Sequence, residues 1–312
     1  MAEMKKSDLK GLITANSFSG LPTFFRRHHG SAYHVADVVV YGLPFDLGVS
    51  NRPGSRFGPR AIREASLQLS WGKVWPWGFD PFDRLAVLDA GDIEYTYGVV
   101  EEFMEAAKAR AHDIAKAGAI PFSLGGDHGV TLHTIRGLAQ VTGPVALLHF
   151  DAHTDTGEGP EVQHGTMFRI ADRQGHINAG KSVQVGIRTS YKDDDDYLRI
   201  HAPELARNDP AETAKAIHNR VAGMPCYVSF DIDCLDPSFA PGTGTPVPGG
   251  VSTLRILELF RALGDLVETD PINFVGADIV EVAPCYDSAQ ITSLAAVQIA
   301  HELLCLMACS RG

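Results

Sequence analysis

The 312 residues are 45% hydrophobic and 21% charged, the composition of an ordinary globular protein. A formal net charge of −11 argues against a nucleic-acid surface or a polyanionic substrate and favours a small cationic one. Five cysteines without CxxC spacing, and a polar segment from Met1 to Lys10 that lacks a signal-peptide core, point to the cytoplasm.

Residues 1–35 show little periodicity and read as an N-terminal arm. Its aromatic pair, Phe24-Phe25, is expected to be exposed and to pack on a neighbouring subunit. Residues 36–312 read as one large α/β domain. Val38 to Gly42 is the first strand. A Gly/Pro loop follows from Pro53, and Pro59 sits well at the start of a helix running to about Leu67. Arg60 and Arg63 are read as solvated. Leu85 to Leu88 is a short strand with an Asp-rich end, Asp89-Ala90-Gly91-Asp92. Val99 to Ala117 has apolar residues at helical spacing.

Ile120 to Leu124 is a strand followed by Gly125-Gly126-Asp127-His128. The two glycines allow a tight turn and a close backbone approach. A helix follows His128. Val145 to Phe150 is an apolar strand leading into Asp151-Ala152-His153-Thr154-Asp155. An extended backbone would put Asp151, His153 and Asp155 on one face. Carboxylates packed in this way repel one another unless a cation lies between them, and a divalent metal is the simplest one. A surface turn is the plainer alternative for this stretch alone. His149, inside the strand, is read as a buried, hydrogen-bonded histidine rather than a ligand.

A further helix starts near Gly165, and Ser182 to Ile187 is a strand. Lys192 to Asp196 reads as a solvated charge run. Ala211 to Ala222 and Ser252 to Leu263 are helical. Between them, the strand Tyr227 to Phe230 ends in Asp231-Ile232-Asp233, again two carboxylates on one face. Cys234 would face away, and Cys226, Cys305 and Cys309 read as buried small hydrophobes. Phe274 to Val280 is the last strand and ends in Glu281. Gln290 to Met307 is apolar on most sides, so it is expected to be buried or at a subunit interface. No apolar run reads as the ~18 residues of a membrane span. Strands alternating with helices imply a mostly parallel sheet covered on both faces. Three strands ending in potential ligands point to one site, because open α/β sheets form sites at the carboxyl ends of strands. His128, Asp151, His153, Asp155, Asp231 and Asp233 exceed what one ion needs and suit two.

Gly125 to His128, Asp151 to Asp155 and Ser229 to Pro237 resemble the three metal-binding signatures of the ureohydrolase family, and Phe239 to Pro246 extends the match. That family contains arginases, agmatinases and related guanidino-acid hydrolases. The resemblance runs from about residue 38 to 308 and is closest to the agmatinase branch. It implies a single three-layer αβα domain of the arginase type, and it makes Asp89 to Asp92 a structural turn. It also implies a homo-oligomer, a trimer or hexamer.

The resemblance implies a pair of Mn²⁺ ions, one served by His128 and one by His153, with the four aspartates around and between them. The oxygen-rich donor set itself favours Mn²⁺ or Mg²⁺ and leaves Zn²⁺, Fe²⁺, Ni²⁺ or Co²⁺ open. By the same resemblance Asp155 takes and passes on a proton, His164 shuttles protons or orients substrate, and Glu281 grips a guanidinium in bidentate fashion. Thr245 would contact the guanidinium. The implied reaction is hydrolysis of agmatine to urea and putrescine, a step in polyamine biosynthesis. In the segment between Asp155 and His164 there is no Lys or Arg to pair with a carboxylate tail, and Glu161 is the expected partner of an ammonium tail. Alternatives are a guanidino acid such as guanidinobutyrate or guanidinopropionate, paired with Arg188 or Arg56, and an inactive regulatory homologue. A single-zinc deacetylase on the same fold would need fewer carboxylates.

Overall fold

The computed structural model describes residues 4–11, 16–69 and 72–311. Among them, nine strands form one parallel sheet. In chain order they are β1 (His28–His29), β2 (Val38–Gly42), β3 (Val87–Asp92), β4 (Ile120–Leu124), β5 (Ala146–Phe150), β6 (Val183–Ile187), β7 (Leu198–His201), β8 (Pro225–Asp231) and β9 (Asn273–Val280). Their order across the sheet is β1-β3-β2-β4-β9-β8-β5-β6-β7. The helices are α1 (Gly58–Ser66), α2 (Pro81–Arg84), α3 (Val100–Lys116), α4 (Val130–Thr142), α5 (Met167–Arg173), α6 (Ala202–Arg207), α7 (Pro210–Val221), α8 (Thr253–Val267) and α9 (Ile291–Cys309).

Alternation along each strand decides which layer a residue joins. Val38, Val40, Ala146 and Leu148 pack with Ile62 of α1, Phe260 of α8 and much of α9. Val39 and Tyr41 face α3, while Leu147 faces α4 and α5. Both sides of the inner strands are therefore apolar, as a covered parallel sheet requires. Helix α9 is long and apolar enough to cross a membrane by length and composition, which the sequence reading did not register. It is instead a core helix, 83% buried over its apolar window and packed on α1, α2 and α8.

The N-terminal segment departs from the expectation of an exposed arm. Residues 1–3 and 12–15 of it lie outside the described residues. Phe24 and Phe25 are fully buried in their own chain. Phe25 packs edge-on against Phe24 at 4.7 Å and lies 5.3 Å from Phe82. Their backbone N–H groups donate to Asp89 (2.7 Å) and Ser66 (2.8 Å). Arg63 also departs from its solvated reading. It is buried, and it grips both oxygens of Asp89 at 2.9 and 3.0 Å while also pairing with Asp92. Asp89 and Asp92 thus form a structural turn, as the resemblance implied, and Arg60 is exposed as read. The 192–196 run is exposed except at Asp195, which Arg199 clasps at 2.6 Å. The edge strands β1 and β7 escaped the sequence reading because two and four residues are too short to show a period.

Candidate metal centre

Four neighbouring strands, β4, β9, β8 and β5, carry the site at their carboxyl ends. The turn after β4 needs Gly126, since a Cβ there would lie 1.7 Å from the Phe45 carbonyl oxygen. It delivers His128 into the interior. Beyond β5 come Asp151, His153 and Asp155. Strand β8 ends in Asp231, with Asp233 in the following turn, and β9 leads to Glu281. Asp155 and Glu281 both adopt left-handed backbone conformations, at φ 52° and 62°. Such conformations are costly for non-glycine residues and persist where surrounding structure enforces them.

The six residues converge. His128 Nδ1 lies 3.1, 2.8 and 3.3 Å from oxygens of Asp151, Asp155 and Asp231. His153 Nδ1 lies 3.2 and 3.1 Å from Asp151 and Asp233. Asp151 therefore belongs to both groups of donor atoms. Backbone N–H groups orient the carboxylates: His153 donates to Asp151 (2.6 Å), Asp233 to Asp231 (2.7 Å) and Ala152 to Asp233 (3.1 Å). All four carboxylates are buried, and among the described residues none forms an ion pair with Lys or Arg.

Outer partners fix the imidazoles. Ser229 Oγ donates to Asp278 at 2.7 Å, so it accepts from His128 Nε2 at 2.8 Å. The lone pair of His128 is then on Nδ1, facing three carboxylates. That nitrogen is buried and has no well-aligned hydrogen-bond partner, despite three oxygens within 3.3 Å. Lone pairs gathered at one point fit a metal cation better than a single proton. The Arg199 guanidinium donates to Gln184 Oε1 at 3.0 Å, which sets the amide so that its nitrogen donates to His149 Nδ1 at 3.1 Å. His149 then donates through Nε2 to Asp151 at 2.8 Å. It supports a ligand, consistent with its reading as a hydrogen-bonded core histidine.

The metal-free electrostatics carry the same message. Burial and the neighbouring Asp151 push Asp233 up to about 6. Burial and the charges of Asp233 and Asp151 raise Asp231 well above the carboxylate range. Burial disfavours a charged His153, but Asp151 and Asp233 outweigh it and move the imidazole up to about 12. Without a metal, protons are held where a cation belongs. This His/Asp cluster supports a binuclear metal site.

Beside the cluster, Glu281 Oε1 accepts from the His128 N–H and pairs with His164 Nδ1, both at 2.9 Å. Its other oxygen, Oε2, is buried without a partner, and a Cβ on Gly244 would lie 3.3 Å from it. Burial opposes charge on His164, but Glu281 outweighs burial and moves it up to about 9. Thr245 Oγ1 reaches Asp233 at 3.3 Å. Asp127 and Ser50 were missed by the sequence reading. Burial, then Glu281, push Asp127 up to about 8, and its one usable signal was its place directly before His128. Ser50 contacts His164 Nε2 from a loop with no motif of its own.

Glu161 is a correction. It pairs with Arg136 of α4 instead of standing free at the cleft, because a long basic side chain from the neighbouring helix reaches it. Glu158 is likewise held by Arg173 at 2.6 Å. The two arginines considered for a carboxylate tail are also committed. Arg188 donates to the carbonyls of Val247, Asp233, Cys234 and Gly186, and Arg56 pairs with Asp46.

A parallel sheet with a His/Asp cluster at its inner strand ends defines a class of binuclear metal hydrolases. Residues 36–306 match the family model described as the Arginase family, and the chain belongs to that family. An agmatinase of Neisseria meningitidis serogroup B (strain ATCC BAA-335 / MC58) is 47% identical over 273 residues, 87% of each chain. A crystal structure of a hypothetical agmatinase from Burkholderia thailandensis superposes with a TM-score of 0.91 at 43% identity, covering 96% of this chain and 95% of that one. Proclavaminate amidino hydrolase from Streptomyces clavuligerus gives a TM-score of 0.87 at 38% identity, covering 95% of this chain and all of that one.

Proposed function

We propose that the protein is a binuclear-metal hydrolase that converts agmatine and water to putrescine and urea. The observation that carries this reading is the buried, unpartnered Oε2 of Glu281 beside the cluster. A guanidinium is the fork-shaped cation that such a carboxylate pairs with best. The relatives named agmatinase support the choice of guanidine. So do the committed Arg188 and Arg56, which leave a carboxylate tail without those partners.

In this reading His128, Asp151, His153, Asp155, Asp231 and Asp233 hold two divalent ions, taken as Mn²⁺ by resemblance to the family, with an oxygen-rich donor set that suits Mn²⁺ or Mg²⁺. When bound, such ions lower the pKa of water and polarise the substrate. Glu281 orients the guanidinium, and Thr245 lines its slot. Asp155 accepts the proton released by the attacking water. His164 gives a proton to the leaving amine, so that guanidinium plus water yields urea plus an ammonium ion. A homo-oligomer, trimer or hexamer, and a cytoplasmic setting complete the proposal. The exposed Phe18, Leu21 and Trp75 supply apolar surface for such an assembly.

A second reading, hydrolysis of a guanidino acid, draws on the likeness to proclavaminate amidino hydrolase and on Arg52, which stacks over Tyr286 at the rim at 5.3 Å. Urea release from agmatine, 4-guanidinobutyrate, 3-guanidinopropionate and arginine, with Mn²⁺ added, separates the two. Agmatine is expected to be the best substrate. Hydrolysis of 4-guanidinobutyrate with agmatine untouched overturns the assignment, and Arg52→Met would then raise KM for the acid.

A further inference from the structure

We propose that Ser50 is the outer link of a proton path that runs from solvent through its hydroxyl and the His164 imidazole to the Glu281 side of the cleft. The inference rests on the reading of His164 as the donor to the leaving amine. Ser50 is a positioning and relay residue that acts through His164.

Three members span the wall of the site. Ser50 is exposed, His164 is 9% accessible and Glu281 is fully buried. Ser50 Oγ lies 2.8 Å from His164 Nε2, and His164 Nδ1 lies 2.9 Å from Glu281. The loop that carries Ser50 is pinned on both sides. The His164 N–H donates to the Gly48 carbonyl at 3.2 Å, the Gly48 N–H to Asp127 at 2.8 Å, and Asn51 to the Gly244 carbonyl at 3.1 Å. The close approach requires glycine at 48, where a Cβ would meet the Val162 carbonyl oxygen at 2.0 Å.

Ser50 presents two chemically different groups to one nitrogen. Its backbone N–H, 3.1 Å from Nε2, can only donate. Of the two neutral forms of the ring it therefore favours the one in which Nε2 keeps its lone pair and the proton sits on Nδ1, facing Glu281. Its hydroxyl can either donate or accept, so it can pair with Nε2 before and after that nitrogen gains a proton. The N–H sets the resting tautomer, and the hydroxyl is the point of exchange.

The proton balance closes. Nδ1–H breaks as an N–H bond forms on the leaving amine. Ser50 O–H breaks as Nε2–H forms, and a solvent or buffer acid re-protonates the serine oxygen. Once the products leave, water refilling the cleft returns a proton to Nδ1 as Nε2–H passes back through Ser50 to solvent, and the ring regains its resting tautomer. The proton drawn from solvent matches the one given up by the attacking water, and the net reaction is unchanged.

Ser50→Ala keeps the N–H and removes only the hydroxyl. In the metal-loaded enzyme, kcat is expected to fall roughly tenfold to a hundredfold, at or below the lower edge of what a whole general acid contributes. KM should stay within about twofold. Rising imidazole buffer should restore the rate, as should Ser50→Thr. Nitrogen-15 NMR of the His164 ring should show the same Nδ1–H tautomer in wild type and Ser50→Ala. A Ser50→Ala enzyme with full kcat overturns the path. So does a slow one that buffer does not rescue and whose His164 tautomer has changed, since that is a structural role. Wild-type protein that hydrolyses no guanidine overturns the underlying reading of His164, and the path with it. Active wild type with a full-rate Ser50→Ala overturns the path alone.

Discussion

Two aspartate-rich clusters lie at carboxyl ends of strands in the same sheet, and they are neutralised in opposite ways. At the end of β3, Asp89 and Asp92 share the guanidinium of Arg63, which α1 swings into the interior. Asp89 also accepts the N–H groups of Phe24 and Gly91 at 2.7 and 2.9 Å. That cluster brings its own cation. At the ends of β5 and β8, four buried aspartates meet the imidazoles of His128, His149 and His153 and, among the described residues, no Lys or Arg. Counting carboxylates does not separate a structural turn from a metal site. Counting the fixed cations that the chain supplies does.

The largest effect expected from this contrast is at Asp231. Asp231→Asn removes a charge that nothing else in the chain replaces. The protein should lose at least one ion per subunit, and kcat should fall at least about a hundredfold, the upper range seen when even an outer partner of a metal ligand is lost. Elemental analysis with urea-release kinetics checks both. Two ions retained with kcat within tenfold of wild type would break the comparison.

Arg63→Met tests the other strand end. It leaves the buried Asp89 without its ion-pair partner, at a cost of about 3–5 kcal/mol in folding stability. Metal content and kcat per folded molecule should not change. Denaturant unfolding reads the first, and metal analysis the second. Loss of metal with stability intact would mean that the two clusters are one.

The pH dependence sharpens the contrast further. In the metal-free chain Asp233 is pushed up to about 6, against about 3.9 when unfolded. Between these values the folded state binds the extra proton, so its contribution is full below about pH 4 and fades as pH rises through 6. Metal binding needs the carboxylate ionised and runs the other way. The gap in Tm between metal-loaded and metal-free protein should widen between pH 4.5 and 7, by about 1–3 kcal/mol in stability terms. A gap that narrows as pH rises would contradict the assignment.

The smallest effect is expected at Glu161, whose charge, like that of Asp89, is already matched within the chain. Glu161→Gln should change stability by about 0.2–1 kcal/mol and leave KM for agmatine within about twofold. A KM several-fold higher in the kinetic assay would restore Glu161 as a contact for the substrate tail.

What was legible in the sequence was local. Each ligand-bearing strand writes its apolar run and its terminal donors within about ten residues, so the parallel sheet and the six converging side chains could be read directly. The roles proposed for His164 and Glu281 came only through resemblance, since a lone histidine in a loop or a glutamate after a strand has no distinctive pattern. Arg63, Phe24 and Glu161 were misjudged for a shared reason. Their partners lie far along the chain or on another helix, and packing chooses them. The Ser50 contact spans 114 residues, and nothing in the local composition announces it.

The position of β9 bears on how the protein is made. It is the last strand synthesised, yet it lies in the middle of the sheet, bonded to β4 on one side and β8 on the other. A nascent chain emerging at about 5–20 residues per second can pair β1 to β4, and separately β5 to β8, well before β9 leaves the ribosome. During that interval β4 and β8 present open edges, the kind of surface that invites wrong pairing. Insertion of β9 closes both edges in one event and brings Glu281 beside His128. The cell therefore handles two half-sheets until nearly the end of translation, and a message truncated before β9 leaves His128 on one of them and the donors that follow β5 and β8 on the other.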